Sequence, residues 1–250
     1  MSLLPYDPIS PGSGTWPSPV DLVHCMIDMG EARALTHMPT EPLKMGPALS
    51  GEHAEAPSIA ALRKQAEACE RCDLYKNATQ LVFGEGPAKA CIVLVGEQPG
   101  DREDLAGRPF VEPAGRILDE CLHEAGIDRS SCYLTNAVKH FKFEQRGKRR
   151  LHSRPNAGEI ERCSWWLGAE LEKLHPKVVV ALGATALSSL LGRRAGVMKN
   201  RGDLIATPAG YPVLVTIHPS YLLRIRNKED AAAERGRFVK DLAKIAAHAD

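Results

Sequence analysis

From residue 58 onward, short apolar runs alternate with longer amphipathic stretches. The apolar runs are CIVLVGE (Cys91 to Glu97), CYLTNAVK (Cys132 to Lys139), KVVVALG (Lys177 to Gly183) and YPVLVTIHP (Tyr211 to Pro219). Each is short, rich in Val, Ile and Leu, and bounded by polar or Gly/Pro sequence, the pattern of a buried strand. Between them, SIAALRKQAEACERC, AGRILDECLHEAG, NAGEIERCSWWLGAELEKL, ATALSSLLG and EDAAAERGRFVKDLAKIAAHA read as helices. Apolar strands separated by helices predict an α/β fold: a three-layer α/β/α sandwich around a central, mainly parallel, four-stranded sheet. Ligands of such folds bind beyond the carboxyl ends of the strands. The four ends here are GEQPGD, TNAVKH, LGAT and HPSYLLR. All but LGAT carry chemistry-bearing side chains, and these are expected to converge on one face.

Residues 1–57 differ in kind. They hold nine of the eighteen prolines, and only VDLVHCMIDMGEARAL has a helical pattern. This segment reads as a partly ordered extension, with the domain occupying 58–250. The 250 residues are 44% hydrophobic and 25% charged, an ordinary globular composition. The net charge of +1 means that any attraction to nucleic acid must be local. No apolar run is long enough for a membrane span, and the N-terminus lacks the basic and apolar regions of a signal peptide, so a cytoplasmic protein is expected. Seven cysteines, an odd number, argue against a disulfide framework in a reducing compartment.

Four constellations carry candidate chemistry. In GEQPGDREDLAGRPF (Gly96 to Phe110), a strand delivers Glu97 and Gln98 into a tight turn whose glycines permit close backbone approach. Glu97 can orient a water or stabilise a cation, and Phe110 is either a core residue or a stacking platform for a planar ring. In TNAVKH, Asn136 either shapes the turn or uses its amide to donate to and accept from a nucleobase edge. In TIHPSYLLR, His218 is either a satisfied core histidine or a donor to an oxyanion, and Arg224 can hold phosphate. Cys69-x-x-Cys72 suits zinc, a redox pair or an iron–sulfur site, and His140 and Cys163 are candidates for further ligands. In addition, FKFEQRGKRRLHSRP (Phe141 to Pro155) contains six Lys/Arg and one acid between Lys142 and Arg154, interleaved with aromatics. It reads either as a solvated loop or as a loop lying on a phosphate backbone.

Together and in this order, these motifs resemble the family 4 branch of the uracil-DNA glycosylase superfamily, and within it the UdgX-type subgroup. The resemblance spans about residues 60 to 248. GEQPGDREDLAGRPF matches the first active-site motif and HPS the second. KRRLH (Lys148 to His152) matches the KRRIH loop that sets the subgroup apart, with Leu for Ile. The resemblance implies a 4Fe–4S cluster held by Cys69, Cys72, His140 and Cys163, with His140 standing where other members have cysteine. It implies that Phe110 stacks on uracil, Asn136 reads its pairing edge, and His218 supports its O2 side. It gives Glu97 a role near the sugar and places Gln98 in the pocket through its backbone or side chain. It assigns Lys148, Arg149, Arg150, Ser220 and Arg224 to the DNA, and makes His152 the group that bonds to C1′. The implied partner is uracil-containing DNA, preferably single-stranded, handled by a monomer in the cytoplasm and at the nucleoid. The competing readings are a conventional uracil-DNA glycosylase that turns over, and a non-catalytic iron–sulfur protein that binds single-stranded nucleic acid.

Overall fold

The computed structural model describes residues 46–49, 53–192 and 196–248. VDLVHCMIDMGEARAL lies outside the described residues. In chain order the elements are α1 (Ile59–Ala66), β1 (Ile92–Gly96), α2 (Asp101–Ala106), α3 (Pro113–Glu124), β2 (Tyr133–Asn136), β3 (Phe143–Arg146), β4 (Arg149–His152), α4 (Ala157–Leu174), β5 (Val178–Leu182), α5 (Ala184–Leu191), β6 (Leu204–Ile205), β7 (Val213–Thr216) and α6 (Lys228–Ala243). A 3-10 helix, Pro219–Arg224, follows β7.

The central sheet has the order β2-β1-β5-β7-β6. The first four strands are parallel, as the apolar runs predict. A fifth, two-residue strand at the edge is antiparallel and corrects the expected count of four. LI within GDLIATP is too short to carry a period. β1 and β5 are buried along their whole length because helices cover both faces. Strand alternation then divides the core in two. Ile92, Leu94, Val178, Val180 and Leu214 face α3 and α6, packing with Leu118, Leu122, Phe238 and Leu242. Val93, Val95, Val179, Ala181 and Val213 face α4 and α5, packing with Leu167, Leu171, Leu187 and Leu190. These are the three layers.

Residues assigned to the extension also pack on the domain. Gly46 and Ala48 donate backbone hydrogen bonds to Leu190 and Ser189, and Ala54 and Ala56 join the cluster of Leu62 and Trp166. The first helix stops at Ala66, short of the two cysteines it was expected to carry. Cys69 closes a turn onto Ala66, and Cys72 precedes a 3-10 turn.

β2 leaves β1 on one side, and β5 joins it on the other. The strand order therefore reverses at β1, which makes its carboxyl end the topological switch point. GEQPGD begins there.

The basic segment is the larger correction. It is a β-hairpin, β3–β4, joined by the two-residue turn Gly147-Lys148. Gly147 takes φ +58, a conformation glycine reaches without strain.

Candidate active site

Gly96 and Asn136 are register partners at the ends of β1 and β2. A Cβ at position 96 would lie 2.3 Å from Asn136 Oδ1 and 2.8 Å from Phe110 Cζ, so the two side chains converge over a glycine. Asn136 is 2% exposed, yet its Nδ2 has no hydrogen-bond partner among the described residues. A buried amide donor without a partner costs free energy unless a ligand satisfies it. Phe110 is buried, and its backbone has φ +57, a strained conformation for a bulky residue. Gly115 makes room for it, since a Cβ there would come within 1.8 Å of the Phe110 carbonyl oxygen. The Phe110 and His218 rings stack at 6.2 Å between centroids and 25° between planes.

His218 ends the strand segment before the 3-10 helix. Its Nδ1 accepts from the Ser220 N–H at 3.2 Å and lies 2.8 Å from Ser220 Oγ. Burial, reinforced by the positive charge of Arg224, holds its pKa down to about 4. The ring is therefore neutral at pH 7, and with Nδ1 accepting, its proton sits on Nε2. That is the form that donates to a developing oxyanion without first losing a charge.

Glu97 is held from two sides. Its Oε2 accepts from Thr185 Oγ1 at 2.7 Å, and its Oε1 lies 3.5 Å from His152 Nε2. Thr185 belongs to LGAT, the strand end that was set aside as chemically bare. The signal was only a hydroxyl one residue into a helix, which is usually capping chemistry. The His152 side chain is 50% exposed and rests beside Phe141, with ring centroids 6.2 Å apart.

The hairpin reaches this point because its base and one face are pinned. Gln98 is buried, and its amide donates to the carbonyls of Lys142 and Ser153 and accepts from the Lys142 N–H. Of the two ways Gln98 was expected to serve the site, its side chain is thus committed to closing the hairpin. Arg150, expected on DNA, is also spent inside the protein. Its guanidinium donates to Asp101 Oδ1 and Asp104 Oδ2, both at 2.6 Å, and lies over the rings of Phe141 and Phe143. Arg150 and His152 alternate onto the same face of β4. The grip of Asp101 and Asp104 on one therefore aims the other at Glu97. Lys148 and Arg149 remain exposed, with no ion pair among the described residues. Ser220 serves His218, and Arg224 is exposed within 3.4 Å of Ser220 Oγ.

Cys69, Cys72 and Cys163 gather at α4. Cys72 and Cys163 share a cluster with Leu74 and Val138. Cys69 Sγ accepts from Trp166 Nε1 and Cys163 Sγ from the Lys139 N–H, both at 3.0 Å. His140 is buried, its Nδ1 has no partner among the described residues, and burial keeps its pKa below the usual histidine range. Buried thiols that accept N–H bonds, together with an orphaned neutral imidazole, suit a soft metal group. Among the described residues no three His, Cys, Asp or Glu converge as the ligands of a single ion do. No helix among them is long and apolar enough to cross a membrane.

An orphaned amide, an aromatic ring, a neutral histidine donor and a carboxylate thus meet at the switch point, a set whose chemistry suits a planar base. The profile of the Uracil DNA glycosylase superfamily matches residues 83–243, and the chain belongs to that superfamily. It is 44% identical over 162 residues to the Type-4 uracil-DNA glycosylase of Thermotoga maritima, covering 64% of this chain and 81% of that protein. It is 38% identical over 185 residues to the Type-4 uracil-DNA glycosylase of Pyrobaculum aerophilum, covering 70% and 86%. It is also 30% identical over 164 residues to part of a DNA polymerase of Bacillus phage SP01, 16% of that protein's length.

Proposed function

We propose that this protein is a uracil-DNA glycosylase that acts on single-stranded DNA as a monomer and remains bonded to the sugar through His152, as in the UdgX-type subgroup. The observation that carries this reading is the approach of His152 Nε2 to Glu97 Oε1 on a hairpin whose position is fixed.

The uracil nucleotide must leave the stack to reach a buried pocket. Asn136 offers the base edge its unpaired amide, and Phe110 covers the base face. As the C1′–N1 bond breaks, its electron pair leaves with uracil, and His218 Nε2–H donates to O2. The Glu97 carboxylate stabilises the oxocarbenium-like sugar. His152, in its Nδ1–H tautomer, presents the Nε2 lone pair to C1′. Bond formation leaves an imidazolium that loses the Nδ1 proton to solvent, while the uracil anion gains a proton. The product has a poor leaving group, so each molecule reacts once.

The test is a denaturing gel after incubation with uracil-containing single-stranded DNA. A band that survives heat and detergent supports capture. Free abasic DNA with many turnovers supports the conventional reading, which the Type-4 relatives favour equally. Binding without dependence on uracil supports neither.

Asn136→Ala is expected to slow single-turnover uracil release by about tenfold to a hundredfold, as loss of a buried hydrogen bond costs roughly 1–3 kcal/mol. An unchanged rate would remove Asn136 from the pocket. Lys148→Ala and Arg149→Ala should leave the fold intact and flatten the dependence of log K on log salt by about 0.7 each on single strands. An unchanged slope would mean that the turn is only solvated surface.

The same reading gives Cys69, Cys72, His140 and Cys163 to a 4Fe–4S cluster. When bound, such a group supplies a crosslink between the Cys69–Cys72 turn, the segment after β2, and α4. The protein purified without air should be brown, with about four irons per chain, and Cys163→Ala should lose both colour and iron. Zinc instead of iron would refute the assignment.

A further inference from the structure

The site uses Asn136 but not the charged pair behind it. Lys139 and Glu170 form an ion pair in which both side chains are 0% exposed. Lys139 Nζ donates to Glu170 Oε2, to Thr135 Oγ1 at 2.6 Å and to the Asn136 carbonyl at 2.8 Å. Glu170 Oε1 accepts from the Gly84 N–H and from Tyr133 Oη, both at 3.0 Å, and Thr135 Oγ1 bonds to Oε2 at 2.9 Å. Gly84 has to be glycine for this, because a Cβ there would meet Tyr133 Oη at 2.5 Å and Glu170 Oε1 at 2.6 Å.

Burying two charges gains little stability over apolar side chains of the same volume, because each must first shed its water. What a saturated network of this kind supplies is a fixed arrangement. Here it ties α4, the loop at Gly84 and the strand β2 to one another. The carbonyl it grips belongs to the residue whose amide lacks a partner. The next two peptides are gripped as well, since the Ala137 and Val138 N–H groups donate to the Gly96 and Glu97 carbonyls. The direction of the Asn136 side chain follows from these constraints on its backbone.

We infer that the Lys139–Glu170 pair is a positioning device that aims the Asn136 amide at the pairing edge of the base, so that selectivity for uracil depends on two residues that never touch it. This rests on the glycosylase reading above.

Lys139→Met alone strands a buried carboxylate and endangers folding. Lys139→Met combined with Glu170→Gln removes both charges and keeps acceptors for Gly84 and Tyr133. Cooperative unfolding shows which variants are folded. Three quantities are then compared with wild type: the single-turnover rate on uracil-containing single strands at saturation, inhibition by free uracil, and affinity for the matching thymine-containing strand. The double variant is expected to lose at least tenfold in rate and in inhibition by uracil, with unchanged affinity for the thymine strand. A purely structural pair would not separate these readouts. A folded double variant with wild-type rate and wild-type inhibition overturns the inference. If the double variant does not fold, Thr135→Val, which removes one hydrogen bond from each charge but leaves their direct contact, is read the same way: a smaller loss of rate and of inhibition is expected, and wild-type values for both overturn the inference. Wild-type protein that neither releases uracil nor is inhibited by it overturns the glycosylase reading itself.

Discussion

His152→Ser is expected to abolish the heat-stable adduct while leaving uracil release, so that a reagent consumed once becomes a catalyst that yields abasic DNA. The effect is all-or-none in adduct, from near one per chain to none. Serine removes the Nε2 lone pair 3.5 Å from Glu97 Oε1 but leaves Glu97 held by Thr185, the Asn136 amide, and the neutral His218. Because the His152 side chain is half exposed, its removal opens the sugar side of the site to water. Mass spectrometry of digested wild-type adduct should place the DNA on the peptide containing residue 152. Attachment at any other residue, or an adduct formed by the variant, would end this account.

Arg150→Met is expected to destabilise the protein by about 3 kcal/mol or more, the usual penalty for removing one partner of a buried pair. That corresponds to a drop of roughly 6–12 °C in Tm for a domain of this size. The Asp104 side chain is 0% exposed and would keep only the Thr79 N–H. Capture should fail further, because the variant lets go of the hairpin face that carries His152. Lys148→Ala and Arg149→Ala, in the same hairpin, should leave Tm within about 2 °C, as exposed charges without partners contribute little. Thermal scans of the three variants separate an arginine that holds the fold from neighbours that face outward. Equal Tm values for all three would contradict the structure.

The sheet was legible because its four long strands are continuous apolar runs, the pattern burial on both faces imposes. Glu97, Asn136 and His218 were legible because each stands where such a run meets polar sequence. The hairpin was not. FEQR and RRLH are largely exposed, so neither shows apolar alternation, and the segment reads as a charged loop. Within KRRLH, three adjacent basic residues look equivalent, and only strand pairing decides that Arg150 turns inward. The task of the Gln98 side chain was hidden for a related reason: its partners are main-chain groups of residues 142 and 153, and no sequence motif announces a side chain that binds backbone.

The way the hairpin is closed also makes it a cassette. The Ser153 N–H donates to the Lys142 carbonyl at 2.9 Å, so the segment leaves and re-enters the fold at neighbouring points. Nothing in the sheet order passes through it, and β2 and α4 stand on either side with their own anchors. Lineages can lengthen, shorten or replace such an element without re-solving the fold. A protein engineer can do the same by exchanging the hairpin, provided that Asp101, Asp104 and Gln98 are matched to the new one.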